Sequence, residues 1–241
     1  MNACLALHGL GGGPYELRPL VDALKTRGIP TSCPVLPGHE GPGPHMGEAR
    51  WEDWLAFAES AFDDLAAKEG SVAVVGFSTG ATLALMLATR RPVRRLVLIA
   101  PFLAIRYLGR LPIPSDQYLR WFAKVVPRVP RRGPAAIDPE VRQSVRSTDR
   151  FETFCMRATV SALDLIEKVK PLVAAVKAPT LIMQGRHDTV VEPAGAKWLY
   201  DQIGATTKEL LWFDHSDHLV VLDRDREAVL AAALDWVLTD P

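Results

Sequence analysis

Cysteine is scarce: Cys4, Cys33 and Cys155 are the three in 241 residues, scattered and odd in number. Such a trio excludes a disulfide framework and a cysteine-ligated zinc site, and it suits a reducing compartment. Neither sign of charge is in excess, with 28 basic residues against 28 acidic ones, so nothing points to nucleic acid or an anionic membrane surface as partner. The six histidines show no metal-ligand spacing either, and neither a metal nor a cofactor is expected. The uncharged stretch over residues 72–88 is broken by Gly76, Ser78, Thr79, Gly80 and Thr82, which argues against a membrane span. The N-terminus has no basic n-region ahead of an apolar stretch, so no secretory signal is read and a cytoplasmic location is expected.

What is present is an ordinary globular composition, 48% hydrophobic and 23% charged, in a length that suits one large α/β domain. Its organising stretch is Ser71-Val72-Ala73-Val74-Val75-Gly76-Phe77-Ser78-Thr79-Gly80, followed by Ala81 to Leu87. An apolar strand meets a Gly-x-Ser-x-Gly pentapeptide and a helix begins at once, the arrangement that raises a serine hydroxyl on a sharp turn. Bulk two residues either side of Ser78 would strike neighbouring backbone, which accounts for Gly76 and Gly80. A helix starting at Thr79 aims free N–H groups at the serine and favours a developing oxyanion.

Ala3 to Leu7 reads as a buried strand, residues 16–27 as a helix, 29–35 as a second strand and 51–67 as a helix with apolar residues at helical spacing. Residues 37–47 are dense in Pro and Gly and must be loop. A strand over 95–99 follows the elbow, and the alternation of strand and helix predicts a mostly parallel sheet of about six strands covered on both faces. From 102 to 177 the alternation stops. Helices beginning near Ser115 and Asp138 and a longer one over 153–169 predict a small helical cap inserted into a core made of 1–101 and 178–241. Arg128, Arg131, Arg132, Arg142, Arg146 and Arg150 read as solvated faces of this segment. Strands at 179–184 and 208–213 and a closing helix over 226–238 complete the sheet.

A serine needs a base, and the base an orienting acid, both just past the carboxyl ends of strands. Two loops qualify in the order Ser…Asp…His that such a sheet imposes. One is Gly185-Arg186-His187-Asp188, with Glu192 as another possible acid, and the other is Asp214-His215-Ser216-Asp217-His218, which offers two histidines. His187 reads as a loop-packing residue, His8 as a buttress of its loop through backbone hydrogen bonds, and His39 and His45 as residues that shape the Pro/Gly loop.

His8-Gly9-Leu10-Gly11, Pro37-Gly38-His39, the serine pentapeptide, Arg186-His187-Asp188 and Ser216-Asp217-His218-Leu219-Val220 together resemble the α/β-hydrolases. Within them the chain is similar to the small-capped bacterial carboxylesterases related to monoacylglycerol lipases. The resemblance implies Ser78 as nucleophile, Asp188 as acid, His218 as base, and the Leu10 and Thr79 backbone N–H groups as the oxyanion hole. The chain departs from the family pattern in having leucine at 10 where an aromatic is usual, and in lacking the edge strands that often precede Ala3. The resemblance further implies a serine esterase for short-to-medium acyl esters, acting on a small-molecule ester and water as monomer or homodimer. A monoacylglycerol lipase, thioesterase, lactonase or carbon–carbon bond hydrolase would use the same triad, and a non-enzymatic binding protein stands as a further alternative. Phe102, Leu103, Trp121, Phe122 and Met156 are apolar candidates for the inner wall of the cap, or for packing the cap upon itself.

Overall fold

A computed structural model describes residues 2–41, 43–106, 115–148 and 151–239. In chain order the elements are β1 (Asn2–Leu7), α1 (Arg18–Thr26), β2 (Thr31–Ser32), α2 (Trp51–Glu69), β3 (Ser71–Phe77), α3 (Thr79–Ala88) and β4 (Leu96–Ile99). Then come α4 (Ser115–Phe122), β5 (Arg128–Pro130), α5 (Pro139–Arg146), β6 (Thr153–Cys155) and α6 (Met156–Val169). The chain closes with β7 (Thr180–Gly185), α7 (Ala194–Gln202), β8 (Lys208–Phe213) and α8 (Arg226–Leu238).

Six strands pair in the order β2-β1-β3-β4-β7-β8, all parallel. Strand alternation divides the core in two. Ala3, Leu5, Leu7, Val74 and Leu98 face the layer that holds Trp54, Leu55 and Phe62 of α2, while Cys4, Ala6, Val75 and Ile99 face Leu20 and Leu24 of α1 and Val229 and Ala233 of α8. A parallel sheet buried on both faces explains why its strands read as continuous apolar runs. The strand expected over 29–35 shrinks to two residues, because Pro30 and Pro34 have no N–H to give the ladder.

Two features of residues 102–177 differ from the helical reading. Arg128–Pro130 and Thr153–Cys155 form an antiparallel ribbon, β5–β6, held against the Pro/Gly loop by Glu152 N–H to Pro44 O at 2.8 Å. The long helix starts after that ribbon, at Met156. It also belongs to the layer of α2 and α3: Ala158, Ala162, Leu165 and Val169 are buried there, and Trp51 N–H donates to Ser161 Oγ at 2.7 Å. The ribbon, α4 and α5 meet the site, and α6 reaches it through its first turn, at Met156 and Thr159. Among the described residues no helix is long and apolar enough to cross a membrane.

Candidate active site

Sheet order places the chemistry. The chain leaves β1 toward one edge and returns to β3 on the other side, so the β1 and β3 carboxyl ends form a switch point where a crevice opens. Leu7 pairs with Gly76, which sets the loop after β1 beside Ser78. Ser78 has φ 54° and ψ −119°, the strained backbone of a raised nucleophile. The flanking glycines are obligatory. A Cβ on Gly76 would stand 2.4 Å from Gly80 O, and one on Gly80 would stand 2.1 Å from Leu7 O.

At the far side Gly185 pairs with Phe213, bringing the loops after β7 and β8 together. His218 Nε2 lies 3.0 Å from Ser78 Oγ, and His218 Nδ1 lies 2.8 Å from Asp188 Oδ2. Asp188 is fully buried and accepts further bonds from Gln184 Nε2 at 2.9 Å and from the Val190 and Val191 N–H groups, each at 2.8 Å. These bonds hold Asp188 ionised, and the ionised acid requires Nδ1 of His218 to carry the proton, leaving Nε2 to accept from the serine. Burial works against both charges. The His218 contact and the hydrogen bonds nonetheless keep the Asp188 carboxyl below its ordinary range, and Asp188 raises His218 above its ordinary value. Asp217 joins the two loops, accepting from Thr189 N–H and from His218 N–H, each at 2.7 Å. Phe77 packs against the His218 ring at 5.0 Å.

The loop after β1 is pinned peptide by peptide. Gly9 O accepts from His8 Nδ1 at 2.9 Å and from Gly12 N–H at 3.2 Å, while Gly9 N–H donates to Glu16 Oε2 at 3.0 Å. Gly11 N–H donates to His39 Nε2 at 2.9 Å, and Gly11 O accepts from Arg131. Leu36 N–H donates to His8 Nε2 at 3.0 Å. Both histidines therefore accept at Nε2, which makes them neutral rings with the proton on Nδ1. Burial lowers both, His8 to about 3, in keeping with that role. Among the described residues the Leu10 and Thr79 N–H groups donate to nothing else, so two backbone donors stay free beside Ser78.

A cavity of about 320 Å³ opens over Ser78, within the size range of small-molecule sites. Phe102 and Met156 line it together with Leu10; Leu103, Trp121 and Phe122 are not among its lining residues. Leu103 is buried against Gly195, Trp121 is 65% exposed, and Phe122 stacks on Tyr118. Helix α4 is amphipathic, and its inward residue is Leu119. Phe154 of β6 and Val129 of β5, which the sequence reading passed over, supply wall instead. His215 and His187 are exposed, and His187 therefore does not pack its loop. His45 reaches Thr153 Oγ1 at 3.0 Å and so ties the Pro/Gly loop to the ribbon. Glu192 joins the insert through its backbone, donating to Ala104 O at 3.0 Å.

Three residues of the site escaped the sequence reading. Glu16 reads as an acidic first turn of a helix, yet it closes a short 3₁₀ turn over Pro14–Glu16 and points inward. Arg131 sits in the stretch read as solvated arginines, but its side chain is only 14% exposed; Arg132 and Arg146 are solvated as expected, and Arg150 lies outside the described residues. Asp217 stands next to the motif histidine, where the signal for it was present but overshadowed.

The comparisons with known proteins agree with this geometry. A family model described as serine aminopeptidase, S33, matches residues 1–225. A carboxylesterase of Bacillus subtilis (strain 168) is 27% identical over 243 residues, covering 98% of this chain and 94% of its own. A thermostable monoacylglycerol lipase of Bacillus sp. (strain H-257) is 25% identical over 233 residues, with 96% and 88% covered. A solved structure from work on LipS and LipT, two metagenome-derived lipolytic enzymes, superposes with a TM-score of 0.84 at 25% identity, covering 98% of this chain and 93% of that one. The match runs through every loop that carries the site, and the chain belongs to the serine aminopeptidase S33 family, on the α/β-hydrolase fold.

Proposed function

We propose that the protein is a serine carboxylesterase acting through an acyl-enzyme on Ser78. The carrying observation is the relay Ser78 Oγ–His218 Nε2–His218 Nδ1–Asp188 Oδ2, at 3.0 and 2.8 Å, next to two unpartnered backbone donors. His218 takes the serine proton as Oγ attacks the ester carbonyl, and the Leu10 and Thr79 N–H groups receive the oxyanion. His218 then protonates the departing alkoxide and activates water to release the acid, while Asp188 holds the imidazole in the required tautomer. The mainly apolar cavity favours a short-to-medium acyl chain, with the cap read over 102–177 supplying Leu119, Val129, Phe154 and Met156 to its wall. The three free cysteines suit a reducing compartment, and burial pushes the Cys4 and Cys33 thiols up to about 12, which leaves them unreactive.

A second reading, hydrolysis of monoacylglycerols, is favoured by Thr159, Thr189 and Arg106, polar groups that line the same cavity and could meet a hydroxylated alcohol. The test of the main reading is labelling with a serine-directed phosphonate alongside hydrolysis of p-nitrophenyl butyrate, for wild type and Ser78→Ala. Stoichiometric labelling and turnover, both lost in the variant, are expected; an unlabelled wild type would refute the nucleophile. Across a series of acyl lengths the rate is expected to decline before about twelve carbons, in keeping with the cavity's size. Relative rates on butyryl and glyceryl esters then separate the two readings.

A further inference from the structure

The oxyanion loop is touched by a cation from the insert and by a carboxylate from beneath it, and neither has a part in the relay. Glu16 is buried, and Gly9 lies between it and the nucleophile: a Cβ on Gly9 would be 3.2 Å from Glu16 Oε2 and 3.3 Å from Ser78 Cβ. Space for this carboxylate exists because residue 12 is glycine, whose Cβ would fall 2.0 Å from Glu16 Oε2. Arg131 follows β5 and comes down onto the same loop. Its guanidinium donates to Gly11 O, stands 3.7 Å from Glu16 Oε1, and lies over the Phe154 ring at 5.4 Å. Phe154 in turn covers Gly11, where a Cβ would be 2.5 Å from the ring and φ is 65°.

Trans peptide planes turn these contacts into an orientation. A carbonyl and the following N–H point in opposite directions, so fixing one fixes the other. Arg131 holds Gly11 O; that plane aims Gly12 N–H, which donates to Gly9 O at 3.2 Å. The plane of Gly9 O carries Leu10 N–H. Glu16 holds the other side of Gly9 through its N–H. A chain of two peptide planes therefore leads from an arginine of the insert to the free donor beside Ser78.

We propose that Arg131 and Glu16 form a latch that positions the Leu10 N–H, so that stabilisation of the oxyanion depends on the seating of the β5–β6 ribbon. Both are positioning residues, since they act through the loop. The inference rests on the serine-relay reading above. A donor present but displaced by about an ångström loses on the order of a hundredfold in rate, and a donor removed loses about 10²–10³. The latch makes part of that factor conditional on the insert.

The experiment uses Arg131→Gln, Arg131→Lys, Glu16→Gln and the double variant Arg131→Gln/Glu16→Gln. Active sites are first titrated with the phosphonate, and kcat and KM on p-nitrophenyl butyrate are expressed per titrated site. Butylboronic acid reports on the tetrahedral state: Ser78 Oγ bonds to boron, which becomes a four-coordinate anion, and the serine proton passes to His218. For Arg131→Gln we expect kcat to fall by roughly ten- to a hundredfold, KM to move less than about threefold, and boronate affinity to fall with kcat. Arg131→Lys, which can still donate to Gly11 O, is expected to recover most of the loss. The double variant is expected to lose less than the product of the single losses, since the two act on one loop.

A raised KM at unchanged kcat would overturn the proposal and make Arg131 a wall of the substrate site. A lower titre with full kcat per site would also overturn it, leaving a structural role alone. Failure of the relay reading looks different: wild type itself would not label.

Discussion

Asp188 and His218 are held by their own neighbourhood, whereas the Leu10 N–H is held by distant parts of the chain. Around the acid and base, Gln184 lies at the end of β7, and Thr189, Val190, Val191 and Asp217 lie in the loops after β7 and β8, adjacent strands in register. Around the oxyanion loop the supports come from Glu16, His39 and Arg131, three segments far apart in sequence. The first half is rigid by construction. The second is an assembly whose geometry requires the Pro/Gly loop and the insert to be in place. Proton transfer and oxyanion binding can therefore be perturbed separately, although they serve one step.

Five substitutions test that division, beginning with the largest expected effect. Ser78→Ala removes what both halves serve and should lower kcat by about 10⁶ if the relay acts as a unit, read by burst-free turnover assays on the pure variant. Asp188→Asn strikes the acid–base half alone. It should lower kcat by ~10⁴ by spoiling the imidazole tautomer, while boronate-independent features such as the loop after β1 stay intact.

Asp188→Asn also carries a pH signature. Catalysis needs neutral His218, and its raised value places the acid limb of the wild-type kcat/KM profile above the ordinary 6.5. With the carboxylate gone, burial, the largest influence on the ring, favours its neutral form and is opposed only by Glu16 and Asp217, so the limb should move to lower pH. A limb that stays put would mean the titrating group is not His218. Arg131→Gln should leave this limb where it is, which separates the two halves in one plot.

Asp217→Ala unties the acid loop from the base loop and should cost about ten- to a hundredfold in kcat/KM through misplacement of His218. An effect on boronate affinity as large as that of Arg131→Gln would break the division. Trp121→Ala lies at the other extreme. Its side chain is 65% exposed and away from the cavity, so turnover and stability should change little, within about 0.5 kcal/mol by thermal unfolding. Its neighbour in the same helix, Leu119, faces the cavity, and Leu119→Ala should change the preference among acyl lengths measurably.

The same division describes what could be read from the residues alone. Ser78, Asp188 and His218 stand in short motifs at strand ends, where residue type, spacing and chain order all constrain one another, and the sheet follows from apolar runs between them. Arg131 and Glu16 offer no such redundancy. Each acts through one long side chain folded back on the loop, Glu16 from seven residues away and Arg131 from 120, and a charged residue in such a stretch reads as solvated. The β5–β6 ribbon has strands of three residues, too short for a period to emerge, and Leu119 and Phe154 are only partly buried where they meet the cavity. The apolar character of Leu103, Trp121 and Phe122 does not say toward which side of a helix or loop each side chain points.

Helix α6 carries a practical consequence for exchanging parts between relatives. Because Met156–Val169 packs into the layer of α2 and α3, the transplantable unit is shorter than the gap between β4 and β7. A graft cut near 104 and 155 would carry α4, α5 and the ribbon to a new host and leave α6 behind. A graft cut at 102 and 177 would take away a piece of the donor's interior and ask the recipient to repack around a foreign helix. A seam for such an exchange thus runs between β6 and α6, because α4, α5 and the ribbon lie over the cavity while α6 packs into the foundations.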